Sequence, residues 1–122
     1  MIPLFTTLNL ADNTGAHKLK VIGIPGTSKR MFANLGDIVT CVVKGADATG
    51  MVKNHTVVKA VIVRARKEKR RKDGSYIRFD DNAAIVVTAD GTMVGTRVFG
   101  PVARELRDAG YAKIASLAKE VW

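Results

Sequence analysis

Thr56-Val57-Val58-Lys59-Ala60-Val61-Ile62-Val63-Arg64-Ala65-Arg66 is the stretch on which the fold turns. It is dense in β-branched residues, and Ala60, Val61, Ile62 and Val63 are apolar in succession. Successive side chains of a strand point to opposite faces, so this run needs apolar cover on two sides. A small closed barrel provides such cover for short strands and leaves no unpaired edge. The first expectation is therefore a mainly β fold.

The flanking sequence agrees. Residues 6–10 alternate, with Thr6, Leu8 and Leu10 on one face, and Asp12-Asn13-Thr14-Gly15 supplies a turn whose Asp and Asn can bond their own backbone. Residues 17–24 read as a second strand that Pro25-Gly26 breaks, and Gly36-Asp37 introduces a third over 38–44, with Val39, Cys41 and Val43 facing one way. Residues 83–88 read as a further strand. From Phe99 the period changes: Pro101 suits a first helical position, Val102, Leu106 and Ala109 recur at helical spacing, and Gly110 can end the helix. Residues 112–118 repeat the signal with Ile114, Leu117 and Ala118. The chain of 122 residues, 47% hydrophobic, has the size of one domain. The expected division is a barrel over 1–98, including a basic arm over 64–78, and a helical segment over 99–122.

Charge narrows the function. The formal net charge is +9 and the pI about 10.1, which implies an anionic partner. Eight basic residues fall within 64–78: Arg64, Arg66, Lys67, Lys69, Arg70, Arg71, Lys72 and Arg78, against the acids Glu68 and Asp73. The long strand runs into this cluster, Asp73-Gly74 is a strong two-residue hairpin signal, and residues 75–79 lead back. The positive charge is thus expected on a projecting ribbon. Arginine can grip phosphate with two donors and stack on bases, which singles out Arg64, Arg66, Arg70, Arg71 and Arg78 for specific contacts. Tyr76 reads equally as a base-stacking ring or as cross-strand packing. Lys29, Arg30, Lys44 and Lys53 are smaller basic sites.

Other signals lead away from catalysis. Gly26-Thr27-Ser28-Lys29 lacks the spacing of a phosphate-binding loop. His17 and His55 are too few for a metal site without cysteine partners, and Cys41, the sole cysteine, alternates with Val39 and Val43 as a small buried residue would. Asp80 and Asp81 are adjacent, so on a strand they would point apart, and with Asn82 they suit a turn. Asn54-His55-Thr56 fits a glycosylation sequon only formally. The start Met1-Ile2-Pro3-Leu4 has no charged n-region and no apolar core, and no stretch reaches a membrane-span length, so a soluble, unprocessed chain is expected. Nothing calls for a cofactor, a metal, a membrane or a small-molecule substrate.

Three blocks carry a resemblance: Leu8-Asn9-Leu10-Ala11-Asp12-Asn13-Thr14-Gly15-Ala16, then Asp73-Gly74-Ser75-Tyr76-Ile77-Arg78-Phe79-Asp80, then Gly95-Thr96-Arg97-Val98-Phe99-Gly100-Pro101-Val102-Ala103-Arg104-Glu105-Leu106-Arg107. Together they resemble the universal large-subunit ribosomal protein fourteen (L-fourteen) family in its bacterial or organellar form, over nearly the whole chain. The resemblance implies a five-stranded barrel with a β-ribbon arm and small C-terminal helices, bound to large-subunit ribosomal RNA at the face that meets the small subunit. It further implies contacts with large-subunit proteins three and nineteen, a bridge to small-subunit RNA, and a docking surface for a ribosomal silencing factor at Thr96, Arg97 and Lys113. The implied location is the ribosome of a bacterial cytoplasm or an organelle. His17, Met31-Phe32, Lys119 and Trp122 depart from the family's usual residues.

The expected function is a structural RNA-binding protein, not an enzyme. The alternative is a barrel that binds single-stranded nucleic acid generically, which would rely on paired aromatic platforms; only seven residues are Phe, Trp or Tyr, and no strand face pairs them. A hydrolase would need convergent carboxylates or a nucleophile with its base, and the sequence marks neither.

Overall fold

The computed structural model describes residues 2–25, 31–46, 50 and 52–122. In chain order the strands are β1 (Ile2–Pro3), β2 (Thr7–Leu10), β3 (Lys18–Gly23), β4 (Phe32–Ala33), β5 (Ile38–Val43), β6 (Val57–Arg64), β7 (Lys69–Arg70), β8 (Tyr76–Ile77) and β9 (Ala83–Val87). Two short helices follow, α1 (Glu105–Asp108) and α2 (Ala112–Leu117). Strands β2, β3, β5, β6 and β9 close a five-stranded barrel. Its neighbours are antiparallel except β2 and β9, whose parallel pairing of Asn9 with Ala83 and Leu10 with Ala84 shuts the cylinder. The small sheets β1–β4 and β7–β8 lie outside it.

The barrel interior is filled from alternate positions by Leu8, Leu19, Val21, Val39, Cys41, Val43, Ala60, Ile62 and Ala84. The intervening residues of β6 and β9, Val61, Val63, Ala83, Ile85 and Val87, form a second apolar cluster with Val102, Leu106 and Ile114. Closure therefore covers only one face of the 60–63 run. The C-terminal segment covers the other, because a five-stranded cylinder has room inside for one side-chain layer per strand.

That segment differs from the sequence expectation in two places. Pro101 does not open a helix; Val102 N–H donates to Glu120 O and Ala103 N–H to Val63 O, which holds residues 101–103 extended against β6, and α1 begins only at Glu105. In α2 the buried residues are Ile114 and Ala115, whereas Leu117 is 40% exposed. Gly110 does end α1. With φ +95° it lets Tyr111 N–H reach Leu106 O at 2.8 Å and its own N–H reach Arg107 O at 3.3 Å, a Schellman closure sealed by Leu106 and Tyr111 in the same apolar cluster.

The turn after β2 is fixed by a buried carboxylate. Asp12 Oδ1 accepts from the Thr14 hydroxyl at 2.8 Å and more distantly from Thr14 N–H, while Oδ2 accepts Val86 N–H at 2.9 Å, tying the turn to β9. Burial pushes the Asp12 carboxyl above its ordinary value, and these bonds pull it back. Asp12→Ala orphans the Val86 and Thr14 donors and is expected to lower the unfolding free energy by about 3 kcal/mol in urea denaturation. Inside the barrel, burial pushes the Cys41 thiol up to about 12. Native protein at pH 8 should resist alkylation, and Cys41 should react at the rate of global unfolding.

Candidate nucleic-acid interface

The ribbon is built from the continuation of β6. Phe79 N–H donates to Ala65 O, and Arg66 N–H to Asn82 Oδ1, so the root stays paired after the barrel ladder ends. Lys69 then pairs with Ile77 and Arg70 with Tyr76. The tip is a three-residue loop of Lys72, Asp73 and Gly74, one residue longer than the Asp73-Gly74 turn expected from the sequence. Arg71 N–H donates to Ser75 O at 2.7 Å, and Gly74, at φ +88°, donates to Arg71 O at 3.0 Å. Asp73 Oδ1 accepts from the Ser75 hydroxyl and N–H, which holds its carboxyl below the usual value and stiffens the tip.

Two of the eight arginines and lysines are committed to the fold. Arg64 has only 11% of its side chain exposed; its Nε donates to Asp81 Oδ1 at 3.0 Å, and its Nη1 donates to Phe99 O at 2.8 Å and Pro101 O at 3.1 Å. Asp81 also accepts from Asn9 Nδ2, so one arginine clamps β2, the ribbon root and the 99–101 segment together. Gly100 makes the clamp possible. It sits at φ +78°, and a Cβ there would collide with the Arg64 guanidinium. Arg64 thus serves the structure, and its burial removes it from the surface that the sequence reading gave it.

Arg71 is the second. Its Nε lies 2.9 Å from Glu105 Oε1 of α1, with side chains 14% and 18% exposed. The approach is off the line a hydrogen bond requires, and Arg71 Nη2 and Glu105 Oε2 are buried without hydrogen-bond partners. The ribbon is therefore braced against α1 by charge, with little directional bonding. Arg66, Lys67, Arg70, Lys72 and Arg78 stay exposed and Lys69 half-buried. Lys67 is 3.1 Å from Glu68 in an exposed pair, which screening makes weak.

Arg104, which the sequence reading passed over, joins this group. It immediately precedes α1 and borders a cleft of about 430 Å³ with Lys69, Arg70 and Lys72. No local signal marks it; only the packing of the ribbon on α1 brings residues 70 and 104 together.

The remaining sites fall elsewhere. Lys44 and Lys53 are exposed on loops joined by Asn54 Oδ1, which accepts from Gly45 N–H at 2.8 Å and His55 N–H at 3.0 Å. Thr96 and Arg97 occupy an exposed turn held by Asn13, whose Oδ1 accepts from the N–H of each at 2.8 and 3.1 Å and whose Nδ2 donates to Thr96 Oγ1. A Cβ at Gly95 would come within 2.7 Å of Asn13 Oδ1, so glycine is required for that approach. Lys113 is exposed on α2, a separate element. Lys29 and Arg30 lie outside the described residues. Among the described residues no three His, Cys, Asp or Glu side chains gather to hold a metal, and no helix is long and apolar enough to cross a membrane.

The site is thus a closed small barrel whose cationic ribbon is braced on the chain's own C-terminal segment. The model of the family ribosomal protein L14p/L23e matches residues 1–122, and the chain belongs to that family. Membership makes it a structural constituent of the large ribosomal subunit, with its work in translation rather than in catalysis.

Breaking the Arg64 clamp leaves two carbonyls without that donor and Asp81 with only Asn9 Nδ2. Arg64→Ala is expected to lower the unfolding free energy by about 2–3 kcal/mol, and Arg64→Lys to recover little of it, since an ammonium cannot span a carboxylate and two carbonyls. Arg66→Ala should stay within about 0.5 kcal/mol of the parent in the same denaturation experiment.

Proposed function

We propose that the chain grips large-subunit ribosomal RNA with the exposed ribbon cations Arg66, Lys67, Arg70, Lys72 and Arg78 and the half-buried Lys69, assisted by Arg104. The observation that carries this reading is the division of labour within the basic run. Arg64 and Arg71 are neutralised by Asp81 and Glu105 and fix the ribbon at root and tip, while the others face solvent on a shaped, stiffened hairpin. An array of like charges so held repels itself and is relieved by phosphates, whose counterions are released on binding. Arginines add bidentate contacts at Arg66, Arg70 and Arg78. Lys44 and Lys53 add exposed cations on separate loops in this reading, and Lys29 and Arg30 are proposed as further RNA contacts from the sequence alone.

The turn at Thr96 and Arg97 is the second surface. Family resemblance assigns it, with Lys113, to the intersubunit face, where small-subunit RNA forms a bridge, a silencing factor docks, and proteins three and nineteen lie alongside. Asn13 supports that assignment, because its hydrogen bonds to the Thr96 and Arg97 N–H groups and to the Thr96 hydroxyl set the backbone of the turn before docking. The same resemblance proposes a bacterial or organellar ribosome as the setting.

Replacing Lys67, Lys69, Arg70 and Lys72 by glutamine, with Arg64 and Arg71 kept, leaves the braces intact. The salt dependence of binding to folded ribosomal RNA is expected to flatten by about 0.7–0.9 per lost phosphate contact, in a plot of log affinity against log salt. An unchanged slope would assign the binding to another face, and a parent chain absent from large-subunit fractions of a sucrose gradient would remove the whole reading.

A further inference from the structure

A cleft of about 680 Å³ lies between the return strand of the ribbon and the 100–101 segment. Tyr76 and Trp122 both border it, at 65% and 58% exposure. Large rings left in water are a lost opportunity for burial unless something covers them. Trp122 is held in place. Its N–H donates to Val102 O at 2.9 Å, its indole N–H reaches Glu120 Oε2 at 3.2 Å, and Val121 packs into the outer apolar cluster. The ring is therefore presented at a fixed site.

Charge at the cleft differs from charge on the ribbon. Arg64, Arg71 and Arg78 line it with Asp80 and Asp81; Asp81 pairs with Arg64, and Glu105, outside the lining, pairs with Arg71. The walls are close to neutral, while Lys69, Arg70 and Lys72 lie on the same ribbon. A phosphate has little reason to enter such a cleft. A flat, neutral group attached to a polyanion fits both features, with its face against a ring and its edge near the donors of Arg78 and the carboxylate of Asp80. The volume falls within the range of small-molecule pockets.

We propose that this cleft captures one unstacked nucleobase of ribosomal RNA, held against the rings of Tyr76 and Trp122, while the neighbouring phosphates rest on the ribbon. The inference builds on the RNA-binding reading above and adds a preference for an extrahelical nucleotide. A paired duplex cannot supply one. The site also gives the exposed ring of Trp122 a specific task in this chain.

Trp122 is the sole tryptophan, so its emission reports the cleft directly. The full chain is titrated with five RNA hairpins of one stem, four carrying a single bulged nucleotide, one for each base, and one fully paired. At least one bulged hairpin is expected to bind about tenfold more tightly than the paired one, from stacking of a single base, and to quench Trp122 where the paired hairpin does not. Tyr76→Ala and Trp122→Leu, both at exposed positions, should abolish that preference and leave affinity for the paired hairpin and its salt slope unchanged. The four-glutamine ribbon variant should weaken every hairpin yet keep the ratio, so a failed arm and a failed cleft give different results. Equal affinity for all five hairpins by the parent chain overturns the proposal, as does a preference that survives both aromatic substitutions.

Discussion

From Ala60 to Arg64 strand β6 is buried on both faces, and the molecule is arranged around that requirement. Ala60 and Ile62 enter the barrel; Val61 and Val63 leave it and must find apolar partners outside. Each fully buried valine or isoleucine contributes about 1.5–3 kcal/mol relative to exposure, so an uncovered outer face would forfeit much of a small domain's net stability. The partners come from the C-terminal segment: Val102 stays extended so that Ala103 can hydrogen-bond Val63 O, and Leu106 and Ile114 complete the layer. Helices of four and six residues have little stability of their own, and here they exist as a lid on a sheet.

The same requirement positions the charge. Where β6 runs out of the barrel, Arg64 reaches Asp81 and the carbonyls of Phe99 and Pro101, and one turn of ribbon later Arg71 meets Glu105. The lid and the ribbon therefore hold each other. Removing two arginines from the electrostatic surface makes the rest more useful, because the surviving cations are carried on a support whose shape does not depend on the ligand. A floppy basic tail of equal charge would lose conformational entropy on every encounter with RNA.

Much of this was legible in the sequence, and the parts that were not share a cause. The period of two at Val39, Cys41 and Val43, the breaks at Pro25 and Gly36, and the unbroken apolar run at 60–63 are local signals, and each strand they mark is present. The three blocks of resemblance pointed to the family that the comparison then showed. Pro101 misled because the group that keeps Val102 extended, Glu120 O, lies far along the chain, and a helical period cannot register it. Arg64 and Arg71 looked like the other members of their run, since burial depends on Asp81 and Glu105 and not on spacing. Arg104 had no neighbouring signal, and the length of the tip loop was a matter of one residue in a turn whose glycine was recognised correctly.

The parallel contact between β2 and β9 also sets the entropic cost of closing the molecule. Asp12 and Val86 are 74 residues apart, so the hydrogen bond between them closes a long stretch of chain. Hairpin partners such as β5 and β6 can associate early at small entropic loss, but sealing the cylinder restrains a long loop in one step. The basic ribbon lies inside that loop, so during synthesis its cations leave the ribosome before the last barrel strand does. For that interval the dense positive charge is carried by a chain whose barrel still lacks its closing strand.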